Sequence, residues 1–135
     1  MREIKNPRDL PGFKKKSFAM YFGGGEIWFE HLDGIYEYED LVIEKFLNDA
    51  KTFCRSSMTS HLCFNLDETT ITASMMSIIC DTLTNADKKF TRICFVGVDP
   101  SSKRVFKKLL ANKGFAFTFI NDFEKAKEWV VMEGI

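Results

Sequence analysis

The sequence lacks the motifs that mark most enzymes. It holds no Gly-x-Ser-x-Gly, no His-Glu-x-x-His and no glycine loop followed by Lys-Ser/Thr. Without a base placed beside a nucleophile, hydrolytic and phosphate-loop chemistry have nothing to start from. Histidine is scarce: only His31 and His61 are present, both distant in sequence from any pair of thiols. The four cysteines, Cys54, Cys63, Cys80 and Cys94, form no Cys-x-x-Cys. Zinc and a disulfide framework are therefore not expected. Cys63, Cys80 and Cys94 lie among apolar neighbours, as buried reduced thiols of a cytoplasmic protein do. No apolar run approaches the ~20 residues of a membrane span. The first sixteen residues, MREIKNPRDLPGFKKK, have charge without the apolar stretch of a secretory signal. An excess of one charge is missing too. Nineteen basic and nineteen acidic side chains cancel, which excludes a strongly cationic nucleic-acid binder.

What is present describes one domain. The chain has 135 residues, 45% of them hydrophobic, with fourteen Phe to fill a core. Its charges are sorted. Residues 1–16 carry a net +4, residues 17–87 a net −9 and residues 88–135 a net +5. That polarity leaves room for an acidic and a basic face suited to protein partners. Residues 1–16 read as a partly ordered basic leader and 17–135 as the domain.

Hydrophobic period then divides the domain. SFAMYF at 17–22 and EIWFEHL at 26–32 alternate like strands around Gly23-Gly24-Gly25, which predicts a hairpin. Asp33-Gly34 breaks the second strand. From Tyr38 to Arg55 the period becomes helical, through Val42, Ile43, Phe46, Leu47, Ala50 and Phe53. HLCFNL at 61–66 and RICFVGV at 92–98 read as buried strands, and 74–86 between them as a helix. Asp99-Pro100 opens a further helix with Val105, Phe106, Leu109 and Leu110 inward, stopping near Gly114. FAFTFI at 115–120 is a last strand, and Asn121 with Glu124 predicts a capping box for a last helix. The expected class is α/β, in the order β-β-α-β-α-β-α-β-α, with right-handed crossovers and an antiparallel edge.

Chemistry-bearing residues are few. Glu26, Glu30, Asp33, Glu37, Glu39, Asp40 and Glu44 match no ion-binding loop and read as a solvated acidic face, so neither metal nor cofactor is expected. Asp67 ends a central strand, and with Gly97 and Asp99 it marks the crevice where open α/β sheets take small ligands. A polar loop is the alternative reading. The segment NLDETTITASMMS, 65–77, places Thr69, Thr70, Thr72 and Ser74 ahead of a helix. Thr72 or Ser74 can cap that helix. Either can also accept a phosphate there, since the helix dipole tolerates the charge.

The runs HLCFNLDETTITASMMSII, RICFVGVDPSSKRVFKKLL and FINDFEKAKEW resemble the STAS family, the sulfate transporter and anti-sigma factor antagonist domains. The likeness spans 17–132, through Leu66-Asp67, Thr70-Ile71, Val96-Gly97 and Phe119 to Ala126. Where that family has Asp-Ser-Ser-Gly-Leu, this chain has Thr72-Ala73-Ser74-Met75-Met76, so Ser74 alone keeps a hydroxyl in register. The resemblance implies a non-catalytic regulatory module that binds an anti-sigma factor, a kinase-like protein or another regulator. It places the docking surface at Thr69, Thr70, Met75 and Met76, and the phosphoacceptor at Ser74 or Thr72. A constitutive scaffold and a small-ligand or nucleotide binder are the alternatives.

Overall fold

The computed structural model describes residues 17–22, 25–32, 39–67 and 70–131. Expectations for the leader 1–16, the Gly23-Gly24 turn, the Asp33-Gly34 break, Glu37 and Thr69 lie outside the described residues. Nine elements follow one another: β1 (Phe18–Phe22), β2 (Gly25–His31), α1 (Glu39–Phe53), β3 (His61–Asn65), α2 (Ala73–Asn85), β4 (Arg92–Val96), α3 (Pro100–Leu110), β5 (Ala116–Phe119) and α4 (Phe123–Val130). The class is α/β. One mixed sheet holds the strands in sequence order, β1-β2-β3-β4-β5. β1 is antiparallel to β2, and β2 to β5 run parallel. Each parallel step moves the same way across the sheet, so right-handed crossovers lay α1, α2 and α3 on one face. α4 covers the other.

Cover on both faces explains why β3 is apolar from Leu62 to Phe64 and β4 from Ile93 to Val96, since successive side chains face opposite layers. Leu62, Phe64, Ile93 and Phe95 face α1 to α3, while Cys63, Cys94 and Val96 face α4. The first layer is an aromatic column. Phe95 lies 4.7 Å from Phe106, 5.1 Å from Phe64 and 5.6 Å from Phe119 between ring centroids. Phe53 links it to Phe46, Phe64 and Phe90 at 6.0–6.4 Å. Contacts of this kind contribute roughly 0.5–1.5 kcal/mol each beyond their burial. In the second layer small thiols let Ala126 of α4 approach the sheet. Burial pushes the Cys63 thiol up strongly, and Cys80 and Cys94 up to about 12. These thiols stay protonated and act as packing.

Three local expectations need correction. Glu30 is not on a solvated face: it alternates with Trp28 and Leu32 on the α1 side of β2 and is fully buried. Val105 and Leu109 are not inward but 38% and 37% exposed, because α3 buries only Ser102, Phe106 and Leu110 over the four-residue edge strand β5. The cap of α4 is Asp122, whose carboxylate accepts from Glu124 N at 3.0 Å and Lys125 N at 3.3 Å. Asn121 instead uses its Oδ1 to accept from Gly97 N at 3.3 Å.

One lysine closes the base of the sheet. Lys88 Nζ donates to the carbonyls of Phe53, Arg55, Met58 and Thr59 at 3.1, 2.8, 2.6 and 2.7 Å. The last carbonyls of a helix have no partner within it, and here three ammonium protons are shared among four oxygens. Burial lowers the pKa of Lys88 below its ordinary value, with Cys54 and Glu26 opposing. Lys88→Met should lower the stability measured by urea unfolding by about 1–2 kcal/mol, the half-exposed site allowing water to replace part of the loss. A change below about 0.5 kcal/mol would show that water serves those carbonyls equally well.

Candidate functional site

All four helices return against the parallel strands, so their N-termini meet at the C-terminal edge of the sheet. Glu39 and Asp40 stand in the first turn of α1, Asp99 caps α3, and Asp122 with Glu124 opens α4. Lys51, Lys107 with Lys108, and Lys127 stand in the last turns of the same helices. Each placement favours the helix dipole by about 0.3–1 kcal/mol. Within these three helices charge is thus sorted between the two ends of the sheet, acids at one and bases at the other. α2 is different. It has no acid in its first turn and no base in its last, so it opens with hydroxyls on an otherwise acidic edge.

The two hydroxyl candidates have separate tasks. Thr72 is the N-cap, extended at φ −107°, and its Oγ1 accepts from Met75 N at 3.2 Å. The same Oγ1 donates to Glu39 Oε1 at 2.8 Å, clipping the start of α1 to the start of α2. Ser74 is exposed on the first turn of α2, and its side chain has no hydrogen bond among the described residues. Thr70 is exposed nearby.

Met75 and Met76 do not belong to an exposed patch. They are 2% and 5% exposed, because a helix beginning at Ala73 turns 75, 76, 79, 80 and 83 towards the core. The outer face is Ala73, Ser74, Ser77 and Asp81, with Ile78 half-buried. It is a face of small, mostly uncharged side chains.

Of the residues expected at the crevice, Asp67 and Gly97 meet at the ends of their strands. Gly97 has φ 82°, and a Cβ there would stand 2.5 Å from Asp67 Cα, so the two strand ends are already in contact. Leu66 N donates to Val96 O at 2.9 Å, and Asp67 N to Asn65 Oδ1 at 3.1 Å. Asp99 is occupied by its own helix. It accepts from Ser102 N at 2.8 Å, Ser101 Oγ at 2.7 Å and Ser102 Oγ at 3.0 Å. These bonds, led by that from Ser102 N, hold its carboxyl below the usual range. Among the described residues no cluster of three His, Cys, Asp or Glu could hold a metal, and no helix is long and apolar enough to cross a membrane.

The group that sequence reasoning missed is Glu30 with Lys45 and Asp49. Lys45 Nζ donates to Asp49 Oδ2 at 2.9 Å, His31 O at 2.8 Å and Ser17 Oγ at 2.9 Å. The i,i+4 spacing of Lys45 and Asp49 was a visible signal, but it equally describes an exposed ion pair.

The division of labour at the start of α2 is testable by urea unfolding. Thr72→Val keeps shape but removes the cap and the bond to Glu39, and should cost about 1–2 kcal/mol. Ser74→Ala should stay within about 0.5 kcal/mol of the parent. Equal losses would show that the hydroxyls share the cap. Protein-family models, curated proteins and solved structures were all compared with this chain, and none matches it.

Proposed function

We propose that this chain is a non-catalytic interaction module of STAS type, resembling an anti-sigma factor antagonist, which docks a regulatory protein at the start of α2 and is switched there by phosphorylation of Ser74. The observation that carries this reading is the exposed hydroxyl of Ser74, without a hydrogen bond among the described residues, on the one helix start with neither an acidic cap nor an acidic residue in its own first turn. A sheet running β1 to β5 in order, with an antiparallel first strand, is compatible with such a module. The run of Ala73, Ser74 and Ser77 lets a partner backbone come close and asks little side-chain ordering of this chain. Thr70 extends the same surface. Thr72 is the poorer acceptor, because phosphorylating it would forfeit the cap and set a phosphate against Glu39.

A phosphate on Ser74 adds about 1.5–2 negative charges at a helix N-terminus, where the dipole favours them. The fold survives. A close partner does not, because it would have to desolvate the phosphate without a matching cation. Constitutive docking is the second reading, favoured by Ala73 where the resemblance expects a first hydroxyl.

The test replaces Ser77 with a photo-crosslinking residue, and Lys108 on α3 as a control, in the organism of origin. A single protein captured from Ser77 and not from Lys108 is the expected result. Ser74→Asp should weaken that complex at least about tenfold, or about 1.4 kcal/mol, at an unchanged melting temperature. Ser74→Ala should bind like the parent. Equal binding by both variants would leave constitutive docking, and capture only from Lys108 would overturn the site altogether.

A further inference from the structure

From Pro100 to Asn121 the chain carries five basic side chains and no acid. Lys103, Arg104, Lys107, Lys108 and Lys113 stand in a protein whose charges otherwise balance them. The run folds as one block, α3 and the edge strand β5. The acids that bound it are engaged by helices, Asp99 capping α3 and Asp122 capping α4. α2, packed alongside α3, brings one acid, Asp81. The ion pairs among the described residues join Lys45 to Asp49 and Lys127 to Glu124, and none includes these five cations.

Helical spacing orders the surface. Ser102, Phe106 and Leu110 face the sheet, which places Arg104 and Lys108, one turn apart, on the crown of the outer side. Val105 and Leu109, also one turn apart, flank that crown at 38% and 37% exposure. Burial of Phe106 and Leu110 holds α3 on the fold, and it does not account for two apolar side chains kept in water among cations.

The chemistry of the face selects its partner. The outer side of a helix packed on a sheet is convex, so it meets a flat surface better than a peptide, which needs a groove or a free strand. Four of the five cations are lysines, a residue depleted at protein interfaces and suited, as a point charge, to a diffuse anionic surface. Phosphates of a duplex would leave Val105 and Leu109 without a match. A lipid boundary offers both anionic headgroups and acyl chains.

We propose that the outer side of α3 binds an anionic lipid surface, with Lys103, Arg104, Lys107, Lys108 and Lys113 at the headgroups and Val105 and Leu109 at the acyl boundary. α3 lies on the surface and does not cross it. The inference is independent of Ser74.

The full chain is mixed with vesicles of phosphatidylcholine, or of phosphatidylcholine with about a third phosphatidylserine, and binding is read by flotation. Binding should require phosphatidylserine and weaken as salt rises from about 0.05 to 0.5 M, because the Debye length shrinks. Each base near such a surface contributes about fivefold, so Arg104→Gln with Lys108→Gln should cost at least about tenfold at an unchanged melting temperature. Lys51→Gln with Lys125→Gln, an equal loss of charge on α1 and α4, should stay within about twofold of the parent. Leu109→Ser should weaken binding about threefold or more. Equal binding to both kinds of vesicle, equal losses in the two charge pairs, or Leu109→Ser binding like the parent would overturn the proposal. So would capture of duplex DNA or a polyglutamate peptide with the vesicles left unbound.

Discussion

Phe64 and Phe95 meet at 5.1 Å across β3 and β4, and every helix on that face is positioned from this pair. Phe106 fixes α3 to Phe95, while Phe46 and Phe53 fix α1 to Phe64. α2 lies between them through Met75, Met76, Ile79 and Leu83. Burying a Phe side chain contributes about 1.5–3 kcal/mol, and offset or edge contacts add to it. Because α1 and α3 are held to neighbouring rings, the start of α2 has little freedom. Its two methionines are drawn inward and Ser74 is left outside. The proposed docking surface is thus a by-product of core packing.

Parallel strands impose the second constraint. They bring four helix N-termini to one edge, and three of those carry acids that suit the dipole. The neutral start of α2 stands in that setting, clipped to α1 by the bond from Thr72 to Glu39. At the other end Lys88 gathers four carbonyls that the helix and turn leave open. The two ends therefore differ in kind. One displays hydroxyls and acids, and the other is closed by a cation.

Five strands and four helices were legible in the sequence because their periods are clean: RICFVGV reads as a strand buried on both faces, and Asp99-Pro100 as a helix start. The Asp99 cap is present as expected. Asn121 failed because Asp122, one residue on, competes for the same amides, and periodicity does not choose between adjacent caps. The sequence stripe on α3 was drawn too wide at Val105 and Leu109, since the shortness of the strand beneath could not be seen. Glu30 was misplaced for a physical reason. A Glu in an acidic run reads as solvated, and only the tertiary meeting of β2 with α1 supplies Asp49 and Lys45. At the site, exposed Ser74 and capping Thr72 were both legible as types. Which hydroxyl would be spent on the cap depended on a bond to Glu39, 33 residues away.

The central claim is that the start of α2 is the surface a partner covers. Hydrogen exchange read by mass spectrometry on this chain alone, and in complex with its crosslinked partner, addresses it most directly. The account predicts slowed exchange confined to residues 70–78 and the adjoining start of α1, with α3 and β1 unchanged. Slowing centred on α3 or on β1, with 70–78 untouched, would contradict it.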